Sequence, residues 1–394
     1  MSSRIASCTV TPVNVPYTHR EVSAVVERDG VTAGIVRLET EDGVVGWGET
    51  CSGSDMASVA DAVAAMSPFV VGRDPFGGER ARRELWRYAL WQFREPTANF
   101  AWAGIDMALW DLCGKITGRP AYELLGGALR DEVDYFWYLS GASVAELRAS
   151  AEKGRGLGYG CFYMKVGRSR EEDVERVLAA RDALGPSPRL RVDANGAWTY
   201  AEALRALEDM RPARLDFVEQ PVSHYPGDLL RRVRVASGVA VAANEGLWGE
   251  EAALDRILAD VADVYTFSPF WVGSLATFCR LGHLVERRGS LVCKHTHGEL
   301  GIAASACQHA LLALPGVVEG NQQTAAQMTG DVLVAPLPIA SGPRWGRPEA
   351  PGLGVEVDEQ ALGRAAADYR AHGQLLPYQV PSVRHDRIAD GYRS

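Results

Sequence analysis

Three carboxylate side chains follow apolar runs of the sequence at equal intervals. Asp193, Glu219 and Glu245 each end such a run, and successive members of the three are 26 residues apart. Lys165 ends a similar run 28 residues before Asp193, and His295 ends another run further along the chain. Carboxylates bind cations or protons, while lysine and histidine are common acids and bases in enzymes. Residues of these types at regular positions indicate a site for acid–base chemistry.

The spacing also indicates which elements position these residues. An interval in the middle twenties is the length of one strand, one helix and two short loops. Segments with apolar residues at three- and four-residue spacing lie between the runs, at residues 171–184, 200–210, 249–258 and 275–287. Repeated strand–helix units predict a parallel sheet, and many units in one direction favour a closed barrel over an open sheet.

Eight strands are predicted, and they end at Leu139, Lys165, Asp193, Glu219, Glu245, Ser268, His295 and Asn321. This number predicts an α/β fold with a (β/α)8 barrel, in which catalytic residues follow the strands. The alternative is that each polar residue only caps the helix after it. That alternative requires all five charged or titratable residues to share one register by accident.

The composition limits the classes of function. The chain has 394 residues, of which 47% are hydrophobic, and a formal net charge of −9, so nucleic acid and anionic membranes are not expected partners. Seven cysteines without CxxC spacing are typical of reduced thiols in a cytoplasmic protein. We also expect no signal peptide and no membrane span.

Three regions are predicted along the chain. Residues 1–127 form an N-terminal α+β capping domain, with strands at 4–16, 32–40 and 44–49, a loop or hairpin at 20–30, and helices at 56–70, 78–88 and 99–112. Residues 128–331 form the barrel, from a first strand at 133–139 to a last helix at 301–314 and a last strand at 317–321. Residues 332–394 are expected to pack back on the capping domain.

Several motifs carry a resemblance to a known family. They are Gly-Trp-Gly-Glu at 46–49, the segment 103–115, Val-Asp-Ala-Asn-Gly-Ala-Trp at 192–198, Val-Glu-Gln-Pro at 218–221 and Pro-Gly-Leu-Gly-Val at 351–355. The sequence resembles, nearly end to end, the enolase superfamily in its mandelate racemase and muconate lactonizing enzyme branches. Residues 295–302 are similar to the segment around the catalytic histidine of glucarate dehydratase-type sugar-acid dehydratases.

The resemblance implies a metal and two proton-transfer residues. Asp193, Glu219 and Glu245 would bind one Mg²⁺, with Asn244 as the alternative to Glu245, and hard oxygen ligands suit this cation. The metal would hold a substrate carboxylate and neutralise the enediolate that forms when the α-proton leaves. Lys165 would be the base on one face of the substrate. His295 would serve the opposite face, and His297 competes for this role.

Three positions depart from the family pattern, and one of them is Asn244-Glu245-Gly246, which differs from the commoner pairings near the third metal ligand. Tyr163 stands where the family has the first lysine of Lys-x-Lys, so Lys294 is expected to supply the missing charge, or Lys165 to titrate higher. Ser268 stands where the sugar-acid branch has the aspartate that orients the catalytic histidine. A hydroxyl cannot stabilise an imidazolium as a carboxylate does, so a two-base racemase is less favoured.

Further side chains are expected to contact the substrate. Asn195 and Gln220 follow two of the ligands, and Asn321 ends the last strand. The capping loops at 17–30 and 51–55 would close over the barrel mouth. Candidate contacts there and after the sixth strand are Tyr17, His19, Arg20, Phe270 and Trp271.

The predicted reaction is removal of a proton alpha to the carboxylate of a small molecule, followed by loss of water to give a 2-keto acid from a sugar acid or related hydroxy acid. Racemisation or epimerisation of a 2-hydroxy or amino acid derivative is the first alternative. A cycloisomerase is disfavoured because Ser268 occupies the position of that branch's lysine. A protein that keeps the metal but has changed or lost chemistry is a further alternative. The family usually forms dimers or larger homo-oligomers.

Overall fold

The computed structural model describes residues 3–22, 27–53, 55–89, 95–141 and 143–375. It begins with an antiparallel sheet of β1 (Ile5–Val22), β2 (Glu27–Thr40) and β3 (Val45–Cys51). For residues 20–30 the sequence predicted either a loop or a hairpin. Val22 pairs with Glu27, so β1 and β2 form a hairpin there whose tip at 23–26 lies outside the described residues.

Helices cover this sheet because small residues let them approach it closely. They are α1 (Met56–Met66), α2 (Gly78–Ala89), α3 (Thr97–Thr117) and the short α4 (Ala121–Leu124). A Cβ atom on Gly48 would lie 1.9 Å from the carbonyl oxygen of Gly104, so neither strand nor helix has room for a side chain at that contact. The meander and helices agree with the predicted α+β cap, although α3 is longer at both ends than expected.

The remaining strands are β4 (Glu132–Asp134), β5 (Trp137–Tyr138), β6 (Cys161–Lys165), β7 (Arg189–Asp193), β8 (Val218–Glu219), β9 (Val241–Ala243), β10 (Val264–Phe267), β11 (Leu291–Lys294) and β12 (Arg344–Gly346). Strands β5 to β11 form a seven-stranded parallel sheet in chain order. The helices between and after them are α5 (Val144–Gly156), α6 (Arg170–Leu184), α7 (Tyr200–Asp209), α8 (Leu229–Ser237), α9 (Glu250–Leu258), α10 (Pro269–Val272), α11 (Leu275–Arg287) and α12 (Gly301–Leu312).

Residues 317–321 close the barrel through single β-bridges to β11 and to Tyr135, and they do not form a full eighth strand. Val318 donates its N–H to the carbonyl of Val292 on β11 at 3.0 Å, and Asn321 donates to that of Asp134 at 2.8 Å. The prediction of a regular strand at 317–321 is therefore wrong in detail, although the segment occupies the expected place. The predicted first strand at 133–139 also divides, because β4 pairs with β12 and only β5 joins the barrel.

The tail returns to the capping sheet, where α13 (Glu359–His372) contacts β1. Asn14 donates from Nδ2 to Asp368 at 3.0 Å and to the carbonyl of Gly373 at 2.8 Å. The domain limits at 127 and 331 stay predictions, and residues 376–394 lie outside the described part of the chain. Among the described helices, none has the length and hydropathy needed to cross a membrane.

A buried histidine in α12 makes the stability of the fold sensitive to acid. His309 accepts the N–H of Tyr122 at Nδ1 over 3.1 Å and stacks on its ring, and burial lowers the pKa of His309 to about 4. The unfolded chain takes up this proton below about pH 6.5, but the folded chain does so only below about 4. Acid therefore favours unfolding within this window, by about 3 kcal/mol for this one group.

We expect His309→Gln to unfold with a shallower pH dependence than the wild type between pH 6.5 and 4. The free energy of unfolding, measured with urea at several pH values, tests this. The variant can be less stable at every pH, so the quantity compared is the slope. Parallel curves for the two proteins would show that His309 is not the responsible group.

Candidate active site

The strand register places the predicted polar residues side by side. Lys165 is opposite Asp193 in the pairing of β6 with β7, and Asp193 is opposite Glu219 in the pairing of β7 with β8. Glu245 follows two residues after the end of β9, which is the next strand. Because parallel strands end at the same edge of the sheet, four charged side chains converge at one end of the barrel.

Asp193 is the centre of this group. Its Oδ2 accepts hydrogen bonds from Nζ of Lys165 at 2.6 Å and from Oη of Tyr163 at 2.5 Å, and its Oδ1 accepts the N–H of Asn195 at 2.8 Å. Asn195 has a φ of 47°, which turns its backbone back towards the carboxylate. Tyr163, the departure from the family pattern, thus acts directly on a predicted metal ligand and adds no charge.

The other two carboxylates have polar neighbours but no cation in direct contact among the described residues. Glu219 accepts from Nε2 of Gln322 at 2.9 and 3.1 Å, and Oε1 of Glu245 accepts from Nδ2 of Asn195 at 3.0 Å. Burial, then repulsion by Asp193, raises the pKa of Glu219 well above its ordinary value and that of Glu245 to about 7. Within the described residues, Oε2 of Glu245 is buried without a hydrogen-bond partner.

These donors fit a hard divalent cation in chemistry, although they are not gathered into a ready-made site. Across the described ranges, no three His, Cys, Asp or Glu side chains are arranged to hold a metal ion. Each carboxylate instead faces a different neutral or cationic partner. Buried carboxylates that repel one another, and one buried oxygen without a partner, are what a magnesium ion would stabilise. That Asp193, Glu219 and Glu245 bind this ion stays a prediction.

His295 lines the cavity in an aromatic environment. Its ring packs at a tilt against that of Trp271, with centroids 4.4 Å apart and planes 31° apart, and His297 lies edge-on at 5.7 Å. Within the described residues, neither Nδ1 of His295 nor Oγ of Ser268 has a hydrogen-bond partner, so the two are not bonded to each other. The serine therefore does not take over the orienting contact of the family's aspartate.

The environment of His295 favours the neutral imidazole. Burial lowers its pKa well below the ordinary value, and His297, Lys165, Lys294 and Arg28 lower it further. A cation–π contact with Trp271 would oppose this by about 2 kcal/mol. Burying a charge without a counter-ion costs several kcal/mol, so the burial term is larger.

The cavity brings together some of the predicted residues. Tyr163, Lys165, Asn195, Asn244, Glu245, Trp271, His295 and His297 all line it. Side chains that the sequence did not single out line it as well, and they are Glu21, Arg28, Phe136, Tyr138, Trp248, Gln322, Gln323 and Gln327. Glu21 and Arg28 come from the β1–β2 hairpin and form an ion pair at 3.3 Å. Both belong to the capping loop at 17–30 that was expected to close over the barrel mouth, although no sequence motif marks these two residues.

Other predicted substrate contacts lie outside this lining. Lys294 is buried in an ion pair with Glu299, so the structure does not support the hypothesis that it replaces the missing lysine of the site. Cys293 packs with Phe217 inside the barrel, and alternation along β11 turns Lys294 to the opposite side.

Buried hydrogen bonds occupy two more of these residues. Gln220 accepts the N–H of Asn244 and donates to the carbonyl of Val222, while Asn321 accepts the N–H of Lys294. The remaining candidates outside the lining are Tyr17, His19, Arg20, Ser268 and Phe270.

Tyr17 and His19 belong to the β1 part of the hairpin. Tyr17 is buried and forms a β-bridge with Met328, and a Cβ atom on Gly298 would lie 3.2 Å from its Oη. His19 is exposed and contacts Thr18. Their predicted contacts with substrate stay predictions that this geometry does not support directly.

Comparison with known proteins agrees with this architecture along most of the chain. The family model for the mandelate racemase / muconate lactonizing enzyme N-terminal domain matches residues 6–126, and the enolase C-terminal domain-like model matches residues 144–361. The D-galactarolactone cycloisomerase of Agrobacterium fabrum is 29% identical over 83% of this chain and 89% of its own.

Two solved structures are also similar. An enolase from Streptomyces coelicolor, solved without magnesium, has a TM-score of 0.87 and 30% identity and covers 95% of this chain and 100% of its own. A racemase from Streptomyces coelicolor A3(2) with bound magnesium has a TM-score of 0.83 and 26% identity, over 92% of this chain and 99% of its own.

Proposed function

Since the chain belongs to the mandelate racemase / muconate lactonizing enzyme family of the enolase superfamily, whose chemistry is proton abstraction, we propose that it is a magnesium-dependent β-eliminating enzyme. It would remove water from a sugar acid or related hydroxy acid and yield a 2-keto acid. The observation that carries this proposal is Lys165, which is ion-paired to Asp193 on the cavity wall between the capping hairpin and the barrel. The similarity of residues 295–302 to glucarate dehydratases favours dehydration, and this closer relationship is itself part of what we propose.

Lys165 can serve both proton transfers on one face of the substrate. Burial lowers the pKa of Lys165, but Asp193, Glu21 and Glu219 raise it above its ordinary value overall, and a divalent cation held by the carboxylates would offset that effect. The neutral amine then takes the α-proton, so a C–H bond breaks and an N–H bond forms. The resulting ammonium is the acid that returns this proton to the departing β-hydroxyl as the C–O bond breaks. Water leaves, and the enol that remains tautomerises to the 2-keto acid. Such positioned acid–base catalysis contributes about 10²- to 10⁴-fold to a rate.

The metal ligands would be Asp193, Glu219 and Glu245. A bound divalent cation would supply the charge that holds a substrate carboxylate and offsets the negative charge developing on it. Tyr163 and Asn195 orient two of these carboxylates through the hydrogen bonds described above. Glu21 and Arg28 would contact the part of the substrate that points towards the cap.

The test is a panel of sugar, hydroxy and amino acid carboxylates incubated with the protein and Mg²⁺. We expect a 2-keto product from a hydroxy acid, detected as its hydrazone, and deuterium at C3 of that product when the reaction is run in D₂O. A panel that gives neither product nor α-deuterium with any acid would contradict the proposal and favour a member with lost chemistry.

Racemisation or epimerisation is the second candidate, because Lys165 and His295 both line the cavity and a racemase with bound magnesium is among the similar structures. It predicts that deuterium enters the α-position of recovered substrate, with inversion and without any 2-keto acid. The same NMR experiment therefore separates the two reactions. Homo-oligomerisation and a cytoplasmic location stay predictions.

A further inference from the structure

His295 and Trp271 come from neighbouring strands and meet over the cavity. Trp271 belongs to α10, which follows β10 directly, and His295 follows β11. The backbone N–H of His295 donates to the carbonyl of Phe267 at 2.9 Å, which fixes the start of the histidine loop against β10. The side chain has no comparable polar restraint on Nδ1 among the described residues. The tilted ring contact with Trp271, at 4.4 Å between centroids, is therefore its defined contact on that wall.

The capping domain holds Trp271 in place. Asn99 on α3 is buried and donates from Nδ2 to the carbonyl of Trp271 at 2.6 Å. Gly273 has a φ of +81°, and a Cβ atom there would lie 2.9 Å from Oδ1 of Asn99, so the chain requires glycine for this approach. Trp248 packs edge-on against the indole at 6.3 Å. The indole is 3% exposed and has little freedom to turn.

We propose that Trp271, anchored by Asn99, is the positioning residue for His295, and that it presents His295 as a neutral imidazole that hydrogen-bonds the substrate without transferring a proton to it. This inference rests on the proposed function, because it assumes that the cavity at Lys165 binds the substrate. It assigns to an aromatic contact the orienting role that a carboxylate at position 268 would otherwise have.

The surrounding charges agree with this assignment. Burial has the largest effect on the imidazole, and His297 on its own loop, Lys165 from β6, Lys294 from β11 and Arg28 from the capping hairpin also disfavour imidazolium. A neutral imidazole still offers one N–H donor and one nitrogen acceptor. Hydroxyl groups of a sugar acid can use both.

Imidazole-¹⁵N NMR of the histidine-labelled protein tests the inference, with His295→Asn to assign the signal. We expect wild-type His295 to remain a single neutral tautomer from pH 8 to 5.5. In Trp271→Leu, the His295 signals should shift to the average of the two tautomers. The same variant should raise KM about tenfold or more, with a smaller change in kcat. Trp271→Phe should restore both the single-tautomer signal and the KM. Trp86→Leu, which removes an indole packed on Trp102 in the cap, is the matched control and should leave the His295 signal unchanged.

Unchanged His295 shifts in a folded Trp271→Leu protein, or titration of wild-type His295 near pH 6.5, would overturn the inference. If Trp271→Leu does not fold, Asn99→Ser removes the anchor while keeping the indole, and it should also shift the His295 signal. Because the NMR measurement needs no substrate, it is independent of the acid panel. A panel without any exchange overturns the proposed function, whereas the imidazole shifts decide the role of Trp271.

Discussion

Replacing Lys165 by alanine is expected to lower α-proton exchange and product formation by about 10³-fold or more, to the detection limit of an NMR assay in D₂O. Lys165 contacts Asp193 at 2.6 Å and lines the cavity together with Glu245. A proton alpha to a carboxylate is too weakly acidic to leave without a positioned base. Loss of the amine also leaves Asp193 without its cation, so the variant must be shown to be folded.

Two further variants separate the role of Lys165 as a base from its role as a charge. Lys165→Arg keeps a cation beside Asp193 but does not lose a proton near neutral pH, and we expect it to be as inactive as the alanine variant. Lys153→Ala removes an exposed lysine from α5 and should retain full activity. Normal turnover in Lys165→Ala, or recovery of activity in Lys165→Arg, would show that another group is the base.

Glu245→Gln is expected to abolish the stabilisation of the protein by Mg²⁺. At a free concentration about 100 times its Kd, a ligand stabilises the folded state by about 2.7 kcal/mol, which raises Tm by roughly 3 °C for a chain of this size. The glutamine keeps the shape and can still accept from Asn195, but it removes the charge that attracts the ion. Thermal unfolding with and without Mg²⁺ measures this without any substrate.

When Mg²⁺ is absent from both proteins, Glu245→Gln should be at least as stable as the wild type above pH 7. Burial raises the pKa of Glu245 to about 7, so its ionised form costs stability above that pH and glutamine avoids the cost. Glu251→Gln, at an exposed position of α9, is the matched control and should keep the full response to Mg²⁺. An equal response in Glu245→Gln would remove Glu245 from the metal site and leave Asn244 as the alternative.

Much of the barrel was predictable because each strand–helix unit is a local pattern. The intervals between Lys165, Asp193 and Glu219 reflect the length of one unit, and the register of β6, β7 and β8 places these residues opposite one another. The helices α6 and α11 begin and end within one residue of the expected positions, since apolar periodicity and flanking turns define them. A capping sheet was likewise evident from the predicted strands at 4–16, 32–40 and 44–49.

The direction of a side chain was decided only by the structure where its packing partners come from other segments of the chain. Lys294 follows Cys293, whose packing inside the barrel sends the lysine to Glu299 on the other side of β11, and a residue count cannot distinguish these two directions. Closure of the barrel likewise depends on a few bonds from residues 316–322 to β11 and to residues 134–136. Such contacts depend on the geometry of the whole sheet.

By itself, the sequence determined the fold class, the family and the order of the polar residues along the barrel, because these depend on local periodicity and short motifs. Only the tertiary structure showed that Glu21 and Arg28 are residues of the predicted capping loop that line the cavity, and that the ring of His295 packs against that of Trp271. The physical reason is that side-chain direction and burial are set jointly by segments far apart in the chain.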